Sequence, residues 1–184
     1  MNASESVVLV DGDDTAVGSA DRNEAHRGSG LLHRAVSVIL YRLGRGVTSV
    51  LLQKRSAQKS LWPDRWTNTV CSHPRTGETT RNCAVRRLSE ELRIDIRPEA
   101  LSLVFTFEYQ AAFGRSFSEH ELDHVYVGSW SGNPVWNRRE VSDVRWISWD
   151  DVISEITKTP ESFTPWFRIM AAREELNRLF RRKE

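Results

Sequence analysis

Residues 61–94, L-W-P-D-R-W-T-N-T-V-C-S-H-P-R-T-G-E-T-T-R-N-C-A-V-R-R-L-S-E-E-L-R-I, decide how the rest of the chain is read. Their second half, 79–92, places Ala84, Val85, Leu88 and Leu92 at helical spacing with Arg81, Arg86, Glu90 and Glu91 elsewhere on the cylinder. That predicts an amphipathic helix. Upstream, 33–41 and 48–53 are β-branched and apolar with Gly44 and Gly46 between them, the pattern of a hairpin. Downstream, 101–112 and 122–130 read as strands and 143–149 as a third, short one. Ser148 can cap a helix over 150–156, and one longer amphipathic helix follows Pro165 to about Phe180. Residues 1–30 are rich in Asp, Gly, Ser and Asn and hold one β-like run, 7–10, so a strand with a polar connection is expected. Strands and helices mix without regular βαβ alternation, which predicts an α+β fold, a mixed sheet flanked by helices.

At 184 residues, 39% hydrophobic and 28% charged, the chain can bury a core, and one domain over 1–184 is expected, with about 1–6 and 181–184 flexible. The longest uncharged apolar run, 35–41, is far shorter than the roughly 20 residues that cross a bilayer, so no membrane span is expected. The N-terminus lacks the pattern of a secretory signal, which points to the cytoplasm. Cys71 and Cys83 make no disulfide scaffold and fit a reducing compartment. Twenty-six basic against 25 acidic side chains give no global field for gripping nucleic acid. Only 4 of those bases are lysine, and arginine supplies bidentate donors suited to phosphate where several converge.

Five residues, His26, His33, His73, Glu119 and Glu121, are candidate metal ligands. Each alone is more often an ordinary surface or hydrogen-bonded side chain. The pair in E-H-E is more suggestive, because alternate residues of a strand share a face, presenting Glu119 and Glu121 together and turning His120 away. A solvated edge strand would produce the same pattern. Imidazole with carboxylate suits Zn, Mn, Mg or Fe(II), and five such ligands exceed a tetrahedral set.

The chain resembles the type 1 isopentenyl-diphosphate isomerase family. The family's hallmark W-T-N-[ST]-V-C-x-H-P stands at 66–74, its E-x-E at Glu119–Glu121, and its S-P-W-like motif as Thr164-Pro165-Trp166, with spacing that agrees from about Val7 to about Leu179. The same region is similar to a Nudix box, G-x5-E-x7-R-E-U-x-E-E-x-G-U. Aligned from Ser72 it keeps Glu78, Arg86, Leu88, Glu90, Glu91 and Ile94 and departs at Ser72, Arg87 and Arg93. A Nudix hydrolase uses the carboxylates of this helix to hold Mg²⁺ against a diphosphate. Arg87 would turn one such ligand into a phosphate clamp.

The resemblance implies a Nudix-like fold and specific roles. His26, His33, His73, Glu119 and Glu121 match the ligands of one divalent metal, Mn²⁺, Mg²⁺ or Zn²⁺. Glu91 matches the carboxylate that helps hold a Mg²⁺ bound to the substrate diphosphate. Arg22, Arg55, Lys59 and Arg87 match diphosphate-contacting cations, Cys71, Glu121 and Tyr109 the catalytic group, and Trp166 an aromatic wall. The implied partner is a small diphosphate, acted on by a monomer without nucleic acid or membrane. Shifting an unactivated double bond requires two positioned acid/base groups acting through a carbocation-like state, for which a thiol and a carboxylate are a plausible pair. Trp62, Trp66, Phe105 and Phe107 are available as walls or as core. His120 and His124 match no ligand position, Cys83 falls on the apolar side of the helix, and Trp130, Trp136, Trp146 and Trp149 read as core and edge fillers. Hydrolysis of an organic diphosphate, or an idle binding module of the same fold, remain the alternatives.

Overall fold

The computed structural model describes residues 6–44 and 46–181. A nine-stranded mixed sheet is built around β3 (His33–Gly44). β3 turns antiparallel into β4 (Val47–Arg55), the expected hairpin, and runs parallel to β8 (Phe117–Ser129). β8 pairs in turn with β7 (Leu101–Phe113), and β4 with β9 (Val141–Ser148) and the two-residue β5 (Trp66–Thr67). The short β6 (Val70–Ser72) lies on β3, as does β1 (Ser6–Val10).

Strand alternation gives the sheet two apolar faces. Val36, Val38, Leu40, Leu51 and Tyr126 point to one face, where α2 (Thr80–Leu92) buries Cys83, Ala84, Leu88 and Leu92. Ile39, Val50, Leu52, Val125 and Val127 point to the other, covered by α3 (Trp149–Lys158), α4 (Pro165–Ala172) and α5 (Glu174–Phe180). Thr79 caps α2 and Ser148 caps α3, as their positions before each helix suggest. Trp149 is core, while Trp130, Trp136 and Trp146 pack at the edge of the α2 side.

Three expectations need correcting. The polar N-terminal connection folds further, into β2 (Ala16–Asp21) paired with β1 and the single turn α1 (Arg22–Ala25), capped by Asp21. The last helix is two, because Arg173 leaves the helical region at ψ 136° and the chain turns there. The strand placed at 122–130 starts earlier, at Phe117, and carries the E-H-E motif inside the sheet instead of along a solvated edge. Of the ends expected to be flexible, Ser6 opens β1 and Arg181 caps α5, while 1–5 and 182–184 lie outside the described residues. No helix among the described residues is long and apolar enough to cross a membrane.

Candidate active site

Register assembles the site before any side chain is considered. Glu121 on β8 faces Tyr109 across β7 on one side and His33 across β3 on the other. Glu119 lies two residues earlier on the same face, so both carboxylates project beyond the apolar patch made by Val125 and Val127. His73 follows β6, whose central residue Cys71 lies opposite Ser37 of β3. His26 caps the C-terminal end of α1, and its carbonyl accepts the Ser118 N–H at 2.9 Å, which pins that turn to the start of β8.

These residues converge as the sequence suggested: one ligand atom from each of His26, His33, His73, Glu119 and Glu121 lies within 4.8 Å of all the others. The geometry invites a cation. His26 Nδ1 is 2.5 Å from the Arg22 carbonyl and His33 Nδ1 is 2.7 Å from the Leu31 carbonyl, so both Nδ1 atoms carry a proton and both rings turn Nε2 into the cluster. His26 Nε2 lies 2.7 Å from Glu119 Oε2, and that buried oxygen has no hydrogen-bond donor. His33 Nε2 and His73 Nε2 face each other at 3.2 Å, and His73 Nε2 also meets Glu121 Oε1 at 2.8 Å. Buried lone pairs aimed at one point repel unless a proton or metal ion lies between them. The group could therefore hold a divalent cation. Its N/O donor set without sulfur and its five members fit six-coordination better than tetrahedral zinc.

Burial works against charge on His26, but the Glu119 carboxylate beside it raises its pKa overall. Burial drives His73 down to about 4, so its ring is neutral at pH 7 as a metal ligand must be. For Glu121 burial alone would favour the neutral acid, yet His33 and His73 hold it well below the usual carboxylate range. Tyr109 donates its hydroxyl to Glu121 Oε2 at 2.5 Å, and burial keeps that phenol protonated. Burial, helped by the Glu121 carboxylate, pushes Cys71 well above the usual thiol range. A protonated thiol and an ionised carboxylate thus share the site. Burial pushes Cys83 up to about 12, and it sits fully enclosed on the face of α2 that packs on the sheet, away from the cavity.

An inner cavity of about 50 Å³ is lined by the cations Arg22, Arg55, Lys59 and Arg87 together with His26, His73, Glu119, Glu121, Cys71 and Trp166. It adjoins a larger outer groove of about 310 Å³ with Arg27 and Phe117 on its wall. Of the residues singled out from sequence, Tyr109 and His33 stand behind this lining and Glu91 beside it. Arg87 and Lys59 are already engaged by carboxylates. Arg87 donates to Glu91 Oε1 at 2.7 and 3.0 Å and to Glu90 Oε2 at 3.0 Å, and Lys59 pairs with Glu140. Arg55 donates to the carbonyls of Leu61 and Trp62 and lies 5.2 Å over the indole of Trp166. Trp62 stands edge-on to Trp166 at 6.5 Å, while Trp66, Phe105 and Phe107 belong to the packing around the core. As expected, His120 turns away, to Glu108 at 2.9 Å, and His124 pairs with Asp14 at 3.0 Å.

Sequence reasoning overlooked Glu140, Asp123 and Asn68. Glu140 faces Lys59 and Arg87 from a loop 53 residues beyond Arg87, and no local pattern announces it. Asp123 was legible, since it continues the Glu119–Glu121 alternation inward. It is fully buried, held by Ser37 Oγ at 2.7 Å, with Oδ1 unpartnered and its pKa pushed well up by burial.

Residues 31–167 match the NUDIX domain family, the class to which fold and box carboxylates point. A structure from Deinococcus radiodurans, 23% identical, superposes with a TM-score of 0.73 over 96% of this chain and 100% of that one. An isopentenyl-diphosphate Delta-isomerase of Serratia proteamaculans is 41% identical over 89% of this chain and 87% of its own length. Another, of Photobacterium profundum, is 40% identical over 91% and 92%. The chain belongs to the isopentenyl-diphosphate Delta-isomerase family.

Proposed function

We propose that this protein, acting as one domain, interconverts isopentenyl and dimethylallyl diphosphate. The observation that carries the proposal is that Cys71, Glu121 and Trp166 line one cavity with the four cations and with ligands of the His/Glu cluster. In the allylic direction the protonated Cys71 thiol gives its proton to the terminal alkene carbon, leaving positive charge on the tertiary carbon. Glu121 takes a proton from the neighbouring methylene, and the double bond forms there. Acid and base exchange roles in reverse. Tyr109, hydrogen-bonded to Glu121 Oε2, orients the carboxylate. The cation would rest against the indole of Trp166, which lines the cavity, an attraction worth about 2 kcal/mol when desolvated. Arg22, Arg55, Lys59 and Arg87 hold the diphosphate, and the aromatic walls exclude water that would trap the cation.

His26, His33, His73, Glu119 and Glu121 would hold one divalent ion, and Glu91 a Mg²⁺ that arrives with the diphosphate; such ions lend charge neutralisation and Lewis acidity at the carboxylate and phosphate oxygens. Hydrolysis is the competing function of the fold. Against it, Glu78 and Glu90 are paired to Arg86, and the next position, which carries a carboxylate in the hydrolase box, is Arg87. Proton NMR of isopentenyl diphosphate in D₂O with Mg²⁺ tests both. Allylic product carrying deuterium is expected; release of free phosphate without isomerisation would overturn the assignment.

A further inference from the structure

Asn68 stands between β5 and β6 with no exposed surface, and all four hydrogen-bonding positions of its amide are filled. Nδ2 donates to the Val38 carbonyl at 3.2 Å and the Val70 carbonyl at 2.6 Å. Oδ1 accepts Thr67 Oγ1 at 2.8 Å and Trp166 Nε1 at 3.2 Å. The amide can sit only one way round, because carbonyls only accept and an indole N–H only donates. Thr67 spends its single proton on Asn68, so the 2.8 Å contact between Thr67 Oγ1 and Thr164 Oγ1 has Thr164 as donor. The resulting chain, Thr164 to Thr67 to Asn68 with Trp166 joining at Oδ1, lies wholly in the interior. It links the segment that carries Cys71 to the start of the helix that carries Trp166.

An indole wedged among apolar neighbours can rock about its ring torsions, because dispersion contacts are not directional. A hydrogen bond from its N–H fixes both the tilt of the plane and the face presented. The other neighbours of Trp166 make no directional bond to its N–H: Tyr109 at 6.2 Å with a 36° tilt, Trp62 edge-on, and the Arg55 guanidinium 5.2 Å over the ring. We propose that Asn68 is a positioning residue which, by accepting the Trp166 N–H on a rigid and fully satisfied amide, holds the indole face square to the reacting carbon. The proposal rests on the isomerase function and adds the residue that makes its aromatic wall effective.

The test is a double-mutant cycle on isopentenyl diphosphate turnover with Asn68→Ala, Trp166→Phe and the double variant, kcat and KM measured separately. Phenylalanine keeps an aromatic face but has no N–H. Each single variant should lose about tenfold in kcat, the worth of roughly one hydrogen bond, with KM within about twofold, and the double should be no worse than the poorer single. Losses that multiply, or a change confined to KM, overturn the proposal. Should Asn68→Ala fail to fold, Asn68→Asp takes its place. It keeps the acceptor oxygen for the indole while stranding the Val38 and Val70 carbonyls, so it should melt lower yet turn over faster than Trp166→Phe. A kcat at or below that of Trp166→Phe overturns the role. A readout independent of turnover comes from the indole N–H of Trp166 in a ¹H–¹⁵N spectrum, assigned by its loss in Trp166→Phe. That signal should move upfield in Asn68→Ala and stay in place in Asn68→Asp; an unmoved signal in Asn68→Ala refutes the contact. A wild type that forms no allylic product refutes the isomerase function itself, whereas an active wild type with independent losses refutes only the part given to Asn68.

Discussion

Replacing Arg87 by methionine separates what this arginine does for the fold from what it does for the substrate. Its guanidinium makes two bonds to Glu91 Oε1 and one to Glu90 Oε2, with the Glu140 carboxylate 3.6 Å away. Arg87 is 8% exposed and Glu91 2%, so their pair lies out of water. Glu90 and Glu140 keep Arg86 and Lys59 as partners, but Glu91 keeps only the Gln53 amide at 3.1 Å. Breaking a buried pair from one side costs about 3–5 kcal/mol because the remaining charge is uncompensated. For a chain of this length that is a fall of about 6–20 °C in Tm. Adding Glu91→Gln removes the stranded charge and leaves Gln53 an acceptor, so Arg87→Met with Glu91→Gln should melt within a few degrees of wild type. Both the single and the double variant should lose at least about tenfold in kcat/KM, since a charged hydrogen bond to the diphosphate is gone in each. Calorimetry and steady-state kinetics on the three proteins settle the matter. A single variant that melts within about 2 °C of wild type, or a double variant as unstable as the single, refutes the buried-pair account. A double variant with full activity refutes the grip on diphosphate.

Cys71→Ala and Glu121→Gln should each abolish nearly all isomerisation while remaining folded, and Cys83→Ala should stay active; near-normal turnover of either of the first two removes the proposed acid/base pair. Chelation should abolish activity, and elemental analysis should find one divalent ion that His33→Ala fails to retain; an ion held instead by Cys71 and Cys83 would contradict the ligand set. Asp123 gives a pH signature. Its folded pKa lies well above its unfolded value of 3.8, so the folded chain keeps a proton the unfolded chain gives up, and its contribution to stability declines as pH rises above that value. Asp123→Asn removes that slope, so its Tm relative to wild type should climb as pH rises above 3.8; a constant difference would mean that Asp123 is not a buried neutral acid.

Much of the molecule is legible in the linear chain because its signals are local. The period of residues 79–92 announces α2, the alternation of 33–41 and 48–53 announces β3 and β4, and Ser148 announces the start of α3. The E-H-E spacing alone commits Glu119 and Glu121 to one face and His120 to the other, since strand geometry leaves no other arrangement. The break at Arg173 was invisible, because the apolar spacing runs across it and only packing on the sheet decides where the chain turns. Only tertiary register could bring His33 and Tyr109 to either side of Glu121, residues 88 and 12 positions away, or show β8 to be interior where a solvated edge was equally compatible with its sequence. The same is true of charge. A sequence shows that Arg87, Lys59 and Glu140 carry charges but not that they neutralise one another, because ion pairing depends on distances set by chain crossings. The pKa values of Cys71 and Glu121 diverge for the same reason: burial and neighbouring charge shift them in opposite directions, and both are properties of the folded interior rather than of the residues themselves.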